Sequence, residues 1–448
     1  MKLCLALLAS AAYAQMLSPA ELKTAVLKNF PLVEEASLKA QAAGGDLIAS
    51  EGAFDTKLKL KVDDRIGEKN SYFASETLLE KQLSTAGLRV FGGHYRAKGQ
   101  VPDYTGKYAT SNSGELVAGL EIPLLRNRSI DAARTELLAA QRGLEISEQE
   151  LVLKKNLYVY KALSTYEKWR LAHIKKVIRG TLLNVAEERG KMIRKKVAAG
   201  DVEQLRVVDN DRAVNKRQEE LLAAELDLTV ATSALGVYFL NESGRPVDLQ
   251  AYNPPPYEEL GEPTVRGVEL NRIPQLSILD SELTLTRQRE SLAANQRLPG
   301  LNFLVSGHRD LSPVTGVEPR RLQLGLQLEI PFENRKGTGK ESAERAKALA
   351  LEQQKLHTEN ELRATLAQAE ASIRNAWERS KILKNELDNA QTVVNAERRR
   401  WAHGDSDLFV VTLREQDLAD VQMKLWTAHY DYQQAKLDLG LIGSTLAE

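Results

Sequence analysis

The chain has 448 residues, enough for two or three ordinary domains or for one elongated one. Its 61 Lys+Arg balance its 61 Asp+Glu, so no global field draws nucleic acid, which is not expected as a partner. Aromatic content of 6% beside 27% charged residues suits long helices with narrow apolar seams better than a thick globular core.

Met1 to Ala14 has the pattern of a secretory signal peptide: Lys2, an apolar run from Leu3 to Ala12, then Ala12-Tyr13-Ala14 as the cleavage site, with Gln15 opening the mature chain. The alternative is a poorly formed start on a cytosolic protein. The single cysteine, Cys4, lies inside this segment and lacks the small residues ahead of it that a lipoprotein site needs. Disulfides, thiol catalysis and cysteine metal sites therefore drop out of the mature chain. Beyond the signal no apolar run approaches the ~18 residues of a spanning helix. An exported chain can still cross a membrane as a β-barrel, whose alternating strands escape hydropathy.

Pro19 to Ala43 reads as helix, with Pro31 as a break or a start. From Lys57 the period changes to two: Lys57, Lys59 and Lys61 alternate with Leu58, Leu60 and Val62. Glu115 to Ile122 alternates again, ending at Pro123, and a long alanine-rich helical stretch follows. The same junction recurs where Leu322 to Ile330 alternates, ends at Pro331, and a second long helix begins. Heptads run through both helices, with Ile130, Ala133, Leu137 and Ala140 in one and Leu362, Leu366, Ala369 and Ile373 in the other. Their return partners carry Val207, Val214, Leu221 and Ala224, and Leu418, Val421, Leu425 and Ala428. Residues 129–196 as one helix span ~100 Å at 1.5 Å per residue, a length no compact domain uses.

The turns between outgoing and returning helices are duplicated too. Arg194 to Asp201 (RKKVAAGD) corresponds to Arg398 to Asp405 (RRRWAHGD). Basic residues complement the last turn, Gly200 and Gly404 suit the left-handed position after it, and the aspartate can cap the next helix. Asn253-Pro254-Pro255-Pro256 breaks the chain between the halves. The organisation expected is a signal peptide at 1–14, a first repeat at 15–245, a Pro-rich linker at 246–266 and a second repeat at 267–448. The first repeat holds strands over about 57–125 and a helical hairpin over about 128–236. The second holds a helix at 267–298, strands over about 301–332 and a hairpin over about 338–440. The fold class is mainly α with a β-barrel part. So few strands cannot close a membrane barrel alone, because that takes ~8 or more, so several chains must pool them.

Other signals point nowhere. Gly337-Thr338-Gly339-Lys340 departs from a phosphate loop at Asn334 and Glu341. The six histidines show no ligand pairing at helical spacing, so neither metal nor cofactor is expected. Trp169, Trp377, Trp401 and Trp426 fall in helices, where they fill seams. No acid, base and nucleophile converge, so an enzyme is the third choice.

Signal peptide, helix, strands, long hairpin, linker, then helix, strands and long hairpin again: this order resembles the TolC family of outer membrane efflux proteins across the mature chain. The most specific pieces are the junctions at Pro123-Leu124-Leu125-Arg126 and Pro331-Phe332, the second tip Gly404 to Val411, and Thr412-Leu413-Arg414-Glu415-Gln416. The resemblance implies a homotrimer in the outer membrane with a long periplasmic extension, each protomer giving four strands to a shared barrel. It also implies a passive duct for a tripartite efflux pump or type I secretion system, with an inner-membrane transporter and a periplasmic adaptor. Adaptor docking is expected at the tips, Ala199, Gly200, Asp201, Val202 and Glu203 with His403, Gly404, Asp405, Ser406, Asp407 and Leu408. Asp405 and Asp407 either form acidic rings at the entrance or act as N-cap and first-turn complement. Val410 and Leu413 stand where some relatives place gate aspartates. Residues 66–114, longer than their counterpart, form either an added hairpin or an outer loop. The rival reading is a soluble periplasmic coiled-coil scaffold or pump adaptor, with the strands in a small sandwich.

Overall fold

The structure is a computed structural model that describes residues 15–67, 71–99, 109–263, 269–312 and 320–447. The expected signal peptide, and Tyr104 and Tyr108 of the inserted stretch, lie outside the described residues. The chain divides into two compact units whose boundaries fall within helices.

The first unit takes residues 15–38, 150–276 and 358–447 of the described chain. It opens with β1 (Gln15–Met16) and α1 (Pro19–Asn29). Ser18 caps α1 by accepting from the Glu21 backbone N–H at 3.1 Å, and Pro19 sits where a missing N–H costs nothing. Pro31 starts α2 (Pro31–Glu51), so the break is real. The unit also holds most of α3 (Ala132–Ala198), all of α4 (Leu205–Gly236), β6 (Tyr252–Asn253), most of α6 (Arg335–His403) and α7 (Leu408–Ile442). β1 pairs in parallel with β6 of the linker, Gln15 opposite Tyr252.

Its packing follows the heptads. Val159, Ala162 and Tyr166 of α3 bury against Leu235 of α4 and against Leu17, Leu22 and Val26. Ile373 and Ala376 of α6 meet Tyr432 and Ala435 of α7, and Leu383 meets Leu425 and Ala428. Alanine at alternate seam positions lets the helices close up. The Tyr166 hydroxyl donates to the Leu17 carbonyl at 2.8 Å, satisfying its polar end inside that core.

The second unit takes residues 39–149 and 277–357 and contains one antiparallel sheet. Its strands are β2 (Lys57–Arg65), β3 (Tyr72–Gln82), β4 (Arg89–Gly99), β5 (Glu115–Pro123), β7 (Gly300–Asp310) and β8 (Arg320–Glu329), in that order across the sheet. The four strands per chain implied by the resemblance are therefore corrected to six among the described residues. The inserted stretch contributes the hairpin β3–β4, paired from Tyr72 opposite Gly99 to Gln82 opposite Arg89. Gly93 permits that pairing, since a Cβ there would lie 1.9 Å from the Thr77 carbonyl oxygen. α5 (Pro274–Asn295) leads into β7.

Both strand-to-helix junctions turn through an asparagine in the left-handed region, Asn127 at φ 70° and Asn334 at φ 45°. Pro123 is buried opposite Asn302, and Asp131 caps α3 by accepting from the Arg134 N–H at 2.8 Å. Pro331 follows β8 after one residue, Ile330, and precedes Phe332, which is 94% exposed. The phosphate-loop-like residues 337–340 lie in the first turns of α6 and form no loop.

Candidate functional site

The residues singled out by the sequence gather in two places: the sheet of the second unit and the hairpin tips of the first. In the sheet, register decides which side chains share a face. Leu58, Leu79, Gly92, Ala118, Gly307 and Leu322 lie level across the six strands, on one side. That face continues with Leu60, Val62, Leu116, Leu120, Leu324, Leu326 and Leu328, all exposed in the single chain. The opposite face is polar and crowded, with Ala74, Ala97, Glu115 and Ser306 buried. The strands are 9 to 11 residues long, the length a tilted strand needs to cross a bilayer.

Charges on the polar face are knitted across strands. Lys59 meets Glu80 at 2.6 Å, Glu80 meets Arg89 at 3.2 Å, and Arg89 Nε donates to Glu121 at 2.9 Å. Asn302 donates to the other oxygen of Glu121, which extends the ladder from β2 to β7. Glu115 pairs with both His308, at 3.0 Å, and Arg321. The sequence places Lys57, Lys59 and Lys61 on one face with Glu121 and Glu329, but only the hairpin β3–β4 supplies the partners Glu80 and Arg89.

The tips repeat each other atom for atom in their backbone closure. The Asp201 N–H donates to the Lys196 carbonyl and the Asp405 N–H to the Arg400 carbonyl, both at 2.9 Å. Gly200, at φ 82°, and Gly404, at φ 86°, take the left-handed position that makes this closure possible. The expected cap is displaced, however. The return helix α7 starts three residues beyond Asp405, at Leu408. Asp407 rather than Asp405 caps α7, accepting from the Phe409 N–H at 2.9 Å, and α4 has no side-chain cap. Asp407 also pairs with Arg206 of the other tip at 2.9 Å. Cap and cation together hold its carboxyl below the ordinary aspartate range. Ala199, Gly200, Asp201, Glu203, His403, Gly404 and Asp405 are exposed, Val202 and Ser406 half-buried, and Leu408 buried.

Just inside the tips one carboxylate ties four helices together. Glu415 of α7, 2% exposed, accepts from Arg189 of α3 at 2.8 Å, Arg217 of α4 at 3.1 Å and Arg398 of α6 at 3.0 Å. Burial opposes its charge, but the three guanidiniums outweigh that and hold its carboxyl below the usual range. Arg217 also donates to the Leu182 carbonyl at 2.9 Å, and Arg189 to Asn210 at 3.2 Å. The signal for this node was present: Asn210 and Arg217 occupy seam positions between Val207, Val214, Leu221 and Ala224, where an apolar residue is expected.

The linker is clamped in the same unit. Arg170 lies 3.6 Å from the Tyr257 ring centroid and donates to the Pro255 carbonyl at 3.1 Å. Tyr257 stacks on Trp426 and donates to Glu167 at 3.0 Å. His429 packs against both rings, its Nδ1 buried without a hydrogen-bond partner. Among the described residues no helix is long and apolar enough to cross a membrane.

Residues 267–442 match the family model of the outer membrane efflux protein. No curated protein matches the chain in sequence. In fold it is similar to the outer-membrane channel OprN, with TM-score 0.69 and 14% identity over 96% of this chain and 91% of that one. It is similar also to the outer membrane protein VceC of Vibrio cholerae, with TM-score 0.65 and 15% identity over 95% and 96% of the two chains. The MtrE outer membrane channel of Neisseria gonorrhoeae gives TM-score 0.65 and 12% identity over 96% and 89%. Residues 267–442 thus match the outer membrane efflux protein model, and over nearly its whole length the chain shares the fold of these outer membrane channels.

Proposed function

We propose that the protein is a passive outer-membrane channel that works as a homotrimer. Its sheets form a shared barrel in lipid and its helical hairpins a periplasmic conduit. The observation that carries this reading is the six-stranded sheet, with the exposed leucines of β2, β5 and β8 on one face and a charge ladder on the other, whose edge strands β2 and β8 each leave their outer side unpaired among the described residues. An open sheet cannot stand in a bilayer with its edge groups unsatisfied, so the wall is completed by other copies. The helical unit supports the same conclusion, because Leu222, Leu226 and Val230 of α4 form an exposed stripe at helical spacing.

The channel serves a tripartite efflux pump or type I secretion system. An inner-membrane transporter supplies the energy and a periplasmic adaptor docks on the tips, at residues 199–203 and 403–408. Asp405, exposed and free of the cap, is the acidic group offered at the entrance, while Asp407 is engaged by Arg206. Purified protein in planar bilayers is expected to give ion-conducting steps, and outer-membrane fractions to yield a heat-modifiable oligomer in detergent. A protein recovered only from the soluble periplasm, without conductance, refutes the reading.

A further inference from the structure

The two free edges of the sheet fit each other in one register. Following the pairing from strand to strand, Leu58 of β2 lies level with Leu322 of β8. Beyond that level β2 continues by Lys57 alone, whereas β8 continues from Gln323 to Glu329. The sheet is therefore staggered, and a copy of β8 can lie along the whole of β2 only if it is displaced by that stagger.

Resting on the channel reading above, we infer that β8 of one copy pairs antiparallel with β2 of the next, with Lys57 opposite Glu329 and Leu58 opposite Leu328. The wall then has six strands from every copy, eighteen in a trimer. Four observations converge on this register. The edges match in length, 9 residues against 10. Leu58, Leu60 and Val62 fall opposite Leu328, Leu326 and Leu324, so every apolar residue stays on the apolar face. Lys57 faces Glu329, which Arg126 also holds at 2.8 Å, while Lys59 and Lys61 face Gln327 and Gly325, so no lysine faces a cation. Only at the far end do like charges meet, Arg65 and Arg321, and Arg321 already has Glu115.

The fourth observation is geometric. The displacement from Leu322 to Leu328 is six residues for six strands, so shear equals strand number whatever the number of copies. A closed barrel with that equality tilts its strands by about 36°, inside the usual range of about 35–45°. Because barrel diameter grows roughly linearly with strand number, the opening is about one and a half times as wide as four strands per copy would give. Walls of about this many strands enclose an aqueous channel.

Cysteine pairs test the register, since the mature chain has no cysteine of its own if the signal is removed. Lys59→Cys/Gln327→Cys and Leu60→Cys/Leu326→Cys sample both kinds of antiparallel pair, with Lys61→Cys/Gly325→Cys in reserve should either fail to assemble. Outer-membrane oligomers extracted in detergent are oxidised and run under denaturing, non-reducing conditions. Covalent dimers and trimers are expected from the in-register pairs. Lys59→Cys with Gln323→Cys or Glu329→Cys should give less than about a tenth of that yield, because opposed Cβ atoms must lie within about 4.5 Å. Oligomers that cross-link only through the off-register pairs, or through none, overturn the register while the channel reading stands. A soluble monomer overturns the channel reading, and the inference falls with it.

Discussion

Replacing Glu415 with alanine removes the carboxylate that joins α7 to Arg189 of α3, Arg217 of α4 and Arg398 of α6. Arg189 and Arg217 have side chains 4% exposed, and both lose their charged acceptor in a place water does not reach. Breaking a buried pair by deleting one partner costs about 3–5 kcal/mol, mostly through the stranded charge. With an unfolding entropy near 2.1 cal/mol/K per residue, 448 residues give ~0.9 kcal/mol/K, so Tm is expected to fall by about 4 °C. Arg398→Ala is the internal control. It touches the same carboxylate, but its side chain is 41% exposed, so its loss is expected to cost no more than about 1 kcal/mol. Thermal melts of the detergent-solubilised oligomer, followed by circular dichroism, read both values. A Glu415→Ala protein melting within a degree of wild type, or no more damaged than Arg398→Ala, refutes the claim that this node holds the hairpins together.

On the sheet, Leu324→Arg is expected to cost about 2–4 kcal/mol at mid-bilayer and to cut the yield of outer-membrane oligomer, whereas Gln323→Arg on the other face leaves it intact; western blots of membrane fractions compare them. His429 is pushed down from the ordinary 6.5 to about 4, first by burial and then by Arg170 and Lys384. The folded chain therefore binds a proton less readily than the unfolded one. Stability is full above pH 6.5 and falls by about 3 kcal/mol as the pH drops to about 4. Melts across that window should lose this slope in His429→Gln. At the tips, Asp407→Ala should cost about 1 kcal/mol for the lost cap, and Arg206→Ala less, since that pair is exposed. Chemical denaturation separates the two, and equal costs would argue that the cap is idle.

How much of this was legible depended on whether the constraint is local. β8 shows itself because Leu322 to Ile330 alternates without interruption, and the tips do because Gly200 and Gly404 must adopt positive φ after basic residues. The hairpin β3–β4 was legible only as one of two alternatives, an added hairpin or an outer loop. Leu78 and Leu79 are adjacent, Gly92 and Gly93 look like a loop, and Arg96 and Lys98 fall where apolar residues are expected on that face. Its partners across the sheet make it a strand pair, which a window of sequence does not contain. The cap at Asp407 in place of Asp405 was hidden for a similar reason. Either aspartate can cap, and the choice is made by where the return helix starts, at Leu408. The Glu415 node joins residues far apart in the chain, and only the polar interruptions at Asn210 and Arg217 hinted at it.

On the proposed reading, a single chain holds only a fraction of a membrane wall. Native mass spectrometry of mature protein released from outer membranes in detergent tests it most directly. A complex three times the mass of one chain is expected, one that dissociates or precipitates when the detergent is withdrawn. A monodisperse single chain, stable in plain buffer, contradicts it.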